Sequence, residues 1–195
     1  MKLDIILSGV GGQGILSIAT VIGEAAMKAG YNIKQAEVHG MSQRGGDVQS
    51  NLRISSETIY SDLIPIGGTD VILSLEPMEA LRYLPYLSEK GWIVTSSVPF
   101  VNIPNYPDQE KLLAEFSRLP NVILLDVEQI AKEVGTARAS NMVLLGAAAP
   151  ILGIGYDELK EAVSTIFAAK GERVVEMNIK ALAAGKEAAE QRINK

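Results

Sequence analysis

No cysteine occurs in the 195-residue sequence, and histidine occurs once, at His39. The first absence excludes disulfides, thiolate-bound iron–sulfur clusters and a cysteine nucleophile within this chain. The second argues against a zinc site built from this protein alone. Basic charge is short as well: 18 Lys and Arg against 23 Asp and Glu give a net charge of -5 and a pI near 5.0. A chain of that balance lacks the basic footprint that nucleic acid or an anionic membrane demands, so neither partner is expected. Any bound anion must be held locally, by backbone amides and a few cations. No stretch reaches the roughly 18 uninterrupted apolar residues of a spanning helix, and the apolar run in MKLDIILSGVGG is too short for a signal peptide. The expected setting is therefore the cytoplasm. There is no G-x-S-x-G elbow. His39 is the one candidate general base, with Ser8 and Ser42 as neighbours, and a structural histidine at a strand end is the simpler reading.

What is present is a globular composition, 47% hydrophobic and 21% charged, long enough for one domain over residues 1–195 with a sizeable core. The organising stretch is LDIILSGVGGQG. Leu3 to Ser8 read as a buried strand that runs directly into Gly9-Val10-Gly11-Gly12-Gln13-Gly14, the spacing G-x-G-x-x-G. A helix pattern follows at once, with Ile15, Ile18, Ala19, Ile22, Ala25, Ala26 and Ala29 at three- and four-residue steps until Gly30. The unpaired N–H groups and positive dipole end of such a helix form a ready anion site. The same glycines also serve a turn that packs a helix closely on a sheet and binds nothing.

A second strand is expected over Tyr31 to His39, with Glu37 about twenty residues beyond the glycines, where a dinucleotide fold binds ribose. It leads into a second glycine-rich loop, Gly40 to Gly46, in which Ser42, Gln43 and Arg44 gather hydroxyl, amide and guanidinium donors beside Gly45 and Gly46. The two loops should meet at one edge of the sheet. Period-two alternation predicts a half-exposed strand over Asp47 to Ile54, with Thr58 to Ser61 as a short hairpin arm. Further strands are expected at Asp70 to Leu75, Trp92 to Ser96 and Val122 to Leu125. Helices should follow Pro77 and Asp108, the latter a cap. Three prolines make Val98 to Asp108 an extended loop of the kind that carries function or meets a partner. The carboxylates Glu37, Asp47, Asp70 and Glu76 read as caps, strand-end charges and solvated groups rather than a metal or glycosidase pair.

From Val127 the pattern is helical. Ala139 to Leu152 is small and apolar enough to be buried against the sheet or a second chain, and Ala181 to Ala189 reads as a solvated helical end. The expected fold class is α/β: a three-layer Rossmann-like sheet, mostly parallel with some antiparallel pairing. A C-terminal helical flank occupies about 127–195.

The run from Gly9 to Ser55, GVGGQG followed by EVHGMSQRGG, resembles the gamma-type portion of the 2-oxoacid:ferredoxin oxidoreductases, and within that superfamily the indolepyruvate branch. The similarity extends through ARASNMVLLGAAAP to nearly the whole chain. The resemblance implies a heteromeric enzyme that decarboxylates an aryl 2-oxoacid, oxidises the product to an acyl-CoA and passes electrons to ferredoxin. It also implies a large alpha subunit that carries thiamine diphosphate and the iron–sulfur clusters. This chain has no Gly-Asp-Gly thiamine signature and no cysteine, so it is expected to hold no redox cofactor and to be inactive alone. Coenzyme A is the ligand expected at Gly9, Gly11, Gly12, Gln13 and Gly14 together with Ser42, Gln43, Arg44, Gly45 and Gly46, although the same surface suits the partner subunit. The rival readings are a free-standing NAD(P)-dependent reductase using Gly9, Gly11, Gly14 and Glu37, a 2-oxoglutarate or pyruvate branch, and a scaffold whose glycine loops are interface turns.

Overall fold

The structure is a computed structural model that describes residues 1–40 and 45–193. Ser42, Gln43 and Arg44 lie outside the described residues. Six strands form one sheet in the order β2-β3-β1-β4-β5-β6. Strand β1 (Lys2–Val10) pairs parallel with β4 (Thr69–Ser74), which pairs parallel with β5 (Leu87–Ser96), and β5 with β6 (Val122–Leu125). On the other side β3 (Asp47–Ser55) runs antiparallel to both β1 and β2 (Asn32–His39). This is the expected three-layer, mostly parallel Rossmann-like sheet.

The continuous apolar runs of β1, β4 and β5 follow from burial on both faces. One face packs Ile5, Leu7, Leu52 and Leu73 against α1 (Ile15–Lys28) and the later helices α4 (Val127–Glu133), α5 (Ser140–Ala148), α6 (Tyr156–Phe167) and α7 (Glu172–Ile193). The other face packs Ile6, Ile72 and Ile93 under α2 (Pro77–Arg82) and α3 (Gln109–Phe116). The C-terminal flank thus shares the core of the glycine turn's own helix. Each fully buried Ile or Leu contributes on the order of 1.5–3 kcal/mol. No helix among the described residues is long and apolar enough to cross a membrane.

Two expectations need correction. Thr58 to Ser61 forms no hairpin arm, because both edges of β3 are already taken by β1 and β2. Instead Arg53 Nη1 donates to the Ser61 and Leu63 carbonyls, each at 3.1 Å, and ties the segment down as irregular chain. Ala181 to Ala189 is not a solvated end: Ala181, Leu182, Gly185 and Ala189 form the buried stripe of α7 and pack on α5. Its Lys and Glu residues occupy the outer face and conceal a small-residue stripe beneath. The run from Val143 to Ala149 is likewise buried within this chain.

At the amino edge of the sheet, Asp4 is 1% exposed and accepts from Arg53 Nε at 2.7 Å and Nη2 at 3.1 Å, with Lys2 Nζ at 2.8 Å. Burial alone pushes this carboxyl up, but hydrogen bonds and charge from Arg53 and Lys2 outweigh it and hold it below the usual 3.8. The resulting stabilisation is fully present above the unfolded value and is lost as pH falls through the lower folded one. Wild type should therefore exceed Asp4→Asn in stability by a constant margin above about pH 5, a margin that shrinks under more acidic conditions. Urea midpoints measured across pH check this, and a margin independent of pH would refute it.

Candidate functional site

The glycine turn sits where chain connections leave the sheet in opposite directions, β1 crossing to α1 on one face and β4 to α2 on the other. Open α/β sheets bind ligands at such points. Gly12 and Gly14 have φ of 104° and 86°, which side-chain-bearing residues rarely adopt, so the turn requires glycine at both. Gln13 braces it: Oε1 accepts the Val10 N–H at 2.7 Å and Nε2 donates to the Leu75 carbonyl at 3.3 Å. The Gln13 amide is thus committed to the protein, and what the turn turns outward is backbone. Gly14 leads into α1 with no side-chain cap, leaving first-turn N–H groups for a ligand.

The second glycine loop joins the first as the sequence leads one to expect. Gly11 N–H donates to the Gly46 carbonyl at 2.8 Å, and Gly45 N–H approaches the Gly11 carbonyl at 3.5 Å. A third segment, after β5, crosses the same edge and bonds Asn102 Nδ2 to the Gly45 carbonyl at 2.6 Å. From the opposite side Asn141, at the start of α5, donates to the Gly14 carbonyl at 3.3 Å. A Cβ on Gly14 would lie 2.8 Å from that amide, so the missing side chain also admits α5.

Between these elements opens a cleft of about 840 Å³. Gly12, Gln13 and Gly14 form one wall, Leu75, Ser96 and Phe100 another, and Val127 and Glu128 of α4, the Thr136–Asn141 segment, Phe167 and the start of α7 complete the lining, with Glu128 its one carboxylate. Arg138, Lys170 and Arg173 all line it, and none lies within 4.0 Å of a described carboxylate. Three exposed cations around a glycine turn suit a phosphate-bearing anion of extended shape. These cations escaped the sequence reading. They lie well over a hundred residues beyond the turn, and only Arg138 falls within a stretch that carries the family resemblance, ARASN.

A second cleft of about 660 Å³ lies between the turn, Leu16, Ser17, Val48 and His39. His39 Nε2 is 3.2 Å from Glu37 Oε2, and Glu37 Oε1 accepts from Gln35 Nε2 at 2.7 Å. His39 thus faces a carboxylate rather than a serine. Ser8 is completely buried in the sheet, so these residues form no nucleophile–base pair. Asp70 accepts the Asp4 N–H at 2.8 Å, Glu76 caps α2, and among the described residues no group of His, Asp and Glu is placed to hold a metal.

Fold and cleft together define a Rossmann-like domain that presents a glycine turn and a cationic cleft at the carboxyl edge of its sheet. Comparison with known proteins narrows this. Residues 4–188 match the family described as pyruvate ferredoxin/flavodoxin oxidoreductase, and the chain belongs to that family as one subunit of a heteromeric oxidoreductase. It is 37% identical to the indolepyruvate oxidoreductase subunit IorB of Pyrococcus horikoshii, over 99% of this chain and 98% of that protein. Among solved structures it resembles the gamma subunit of a keto/oxoacid ferredoxin oxidoreductase from Geobacter sulfurreducens, with 26% identity and a TM-score of 0.70 over 97% of this chain and 99% of that one. It also resembles the 2-oxoglutarate:ferredoxin oxidoreductase of Magnetococcus marinus, solved with 2-oxoglutarate, coenzyme A and succinyl-CoA bound, at 27% identity and a TM-score of 0.77. That match covers 97% of this chain but 31% of the longer one.

Proposed function

We propose that this chain is the small subunit of an indolepyruvate-type 2-oxoacid:ferredoxin oxidoreductase, and that its cleft holds the phosphate-bearing end of coenzyme A. The observation that carries the ligand assignment is that Arg138, Lys170 and Arg173 line one cleft together with the glycine turn and the start of α1. The coenzyme A in the Magnetococcus structure agrees in chemistry. The aryl oxoacid is supported by the 37% identity to IorB.

In this reading, thiamine diphosphate and the iron–sulfur clusters sit on a large partner subunit and supply decarboxylation and electron transfer to ferredoxin. This chain binds and orients the acyl acceptor. Its backbone amides and cations fix the phosphates, leaving the thiol arm free to reach the partner's reacting centre. Arg44, Ser42, Gln43, Gly45 and Gly46 would add donors from the second loop. Val101 and Ile103, exposed by 68% and 37%, follow the cleft-lining Phe100 on the same segment and offer the partner an apolar contact.

The isolated chain should reduce no ferredoxin with indolepyruvate and coenzyme A, and activity should appear on adding the large subunit. Activity of the isolated chain, or a restored complex preferring 2-oxoglutarate or pyruvate, would refute the assignment. Tight NAD(H) or NADP(H) binding without coenzyme A binding would favour the dinucleotide reading. That reading needs Glu37 free for a ribose, whereas Gln35 already engages it.

A further inference from the structure

Among the described residues three helices begin at acidic residues whose side chains cap them, and one of these differs in kind. Asp108 and Asp126 are exposed and each accepts a single backbone N–H, from Lys111 at 3.0 Å and from Gln129 at 2.8 Å. Glu76 caps α2 through Oε2, accepting the Glu79 N–H at 2.8 Å, yet it is completely buried and no cation among the described residues pairs with it. Burying a carboxylate without a counter-ion is costly unless donors satisfy it, and capping alone does not require it.

The other oxygen explains the burial. Glu76 Oε1 accepts the Phe100 N–H at 3.3 Å and the Tyr106 hydroxyl, which stand near opposite ends of the segment following β5. That segment starts at the sheet edge, where Ser97 N–H donates to the Leu125 carbonyl at 2.8 Å and Val98 N–H to Ser96 Oγ at 3.1 Å. Its tip reaches the second glycine loop through Asn102. Residues 97–106 thus form a strap from β5 across to the loop preceding β3, with one buried carboxylate beneath it. Burial, together with the hydrogen bond to Glu76 and its charge, raises the Tyr106 phenol well above its usual range, so the O–H donor is present at any working pH.

We propose that Glu76 is a positioning residue. With Tyr106 it latches the strap so that Phe100 forms the apolar wall of the cleft against which the uncharged arm of the acyl acceptor lies. The inference rests on the coenzyme A reading of the cleft. Latched, the strap defines the path from the cations to the mouth. Without the Tyr106 hydroxyl only the Phe100 N–H, at 3.3 Å, ties the strap to Glu76, so the wall loosens and the acceptor binds less well although the phosphate site is intact.

Tyr106→Phe removes the hydroxyl and keeps the ring, leaving the α2 cap in place, and so avoids the folding risk of truncating Glu76. In the assembled complex it should raise the KM for coenzyme A about tenfold, leaving kcat and the oxoacid KM within about twofold. Hydrogen exchange of residues 97–106 should accelerate while β1, β4 and β5 keep their protection. Unchanged exchange across the strap overturns the latch outright. Arg173→Ala, measured beside it, separates two further outcomes. If exchange rises and the coenzyme A KM moves in Arg173→Ala but not in Tyr106→Phe, the positioning role is wrong and the coenzyme A site stands. If that KM moves in neither, the coenzyme A reading fails and the positioning role fails with it.

Discussion

Gly146→Ala and Gly185→Ala should each destabilise the protein by about 3 kcal/mol or more, the upper end for overpacking a core. Helices α5 and α7 cross with their backbones in contact. A Cβ on Gly146 would lie 2.0 Å from the Leu182 carbonyl oxygen, and one on Gly185 would lie 1.9 Å from that of Val143. Carbon and carbonyl oxygen approach no closer than about 3.3 Å without repulsion. Neither obstacle is a side-chain end that can swing aside, so the helices must separate by roughly an ångström and open the core around Leu144 and Leu182. The gain in helix propensity from Gly to Ala, about 1 kcal/mol, does not offset this. For a chain of this size the melting temperature should fall by roughly 6–12 °C. Gly23→Ala is the internal control: Gly23 is also helical, but its added Cβ meets only Ile33 Cδ1, at 3.9 Å. There the same substitution should be neutral or stabilising by up to about 1 kcal/mol. Calorimetric melting of the three variants decides the matter, and equal melting temperatures would show that α5 and α7 do not meet as described.

Removing Arg138 and Arg173 together should raise the KM for coenzyme A about a hundredfold in the assembled enzyme. A hydrogen bond to a charged group is worth roughly 1.5–3 kcal/mol, but both side chains are exposed, so about tenfold for each is the appropriate scale. Because the term is electrostatic between solvated groups, the wild-type KM should climb steeply with salt while that of the double variant climbs less. The oxoacid KM should stay put, since these residues line the acceptor's cleft. Arg44→Ala should add a tenfold to hundredfold loss of the same kind if the second loop joins the site. An unchanged coenzyme A KM and salt profile in the double variant would remove the cleft from the reaction. A loss of subunit association in its place would make the cationic rim an interface.

The legible parts of this molecule were those whose causes are local. The strand entering Gly9, the two positive-φ glycines and the apolar stripe of α1 lie within thirty residues, and each is dictated by neighbours in the chain. The cap at Asp108 and the helix start at Pro77 were readable for the same reason, as was the meeting of the two glycine loops, since strand ends on one sheet edge emerge close together. The hairpin arm at Thr58 to Ser61 failed because strand pairing depends on which edges remain free, and β2 had already taken the free edge of β3. The buried stripe of α7 was hidden because alanine and glycine carry almost no hydropathy signal, although they are what lets two backbones touch.

The local chemistry of the chain therefore settles most element types, the turn that demands glycine and the exclusion of thiolate-bound redox centres, and the resemblance of its glycine motifs points to the family. The sheet order, the packing of α7 on α5, the placing of Arg138, Lys170 and Arg173 along one cleft with Gly14, and the burial of Glu76 beneath the strap arise only from folding. Each depends on contacts between residues far apart in sequence, which no period or spacing along the chain encodes.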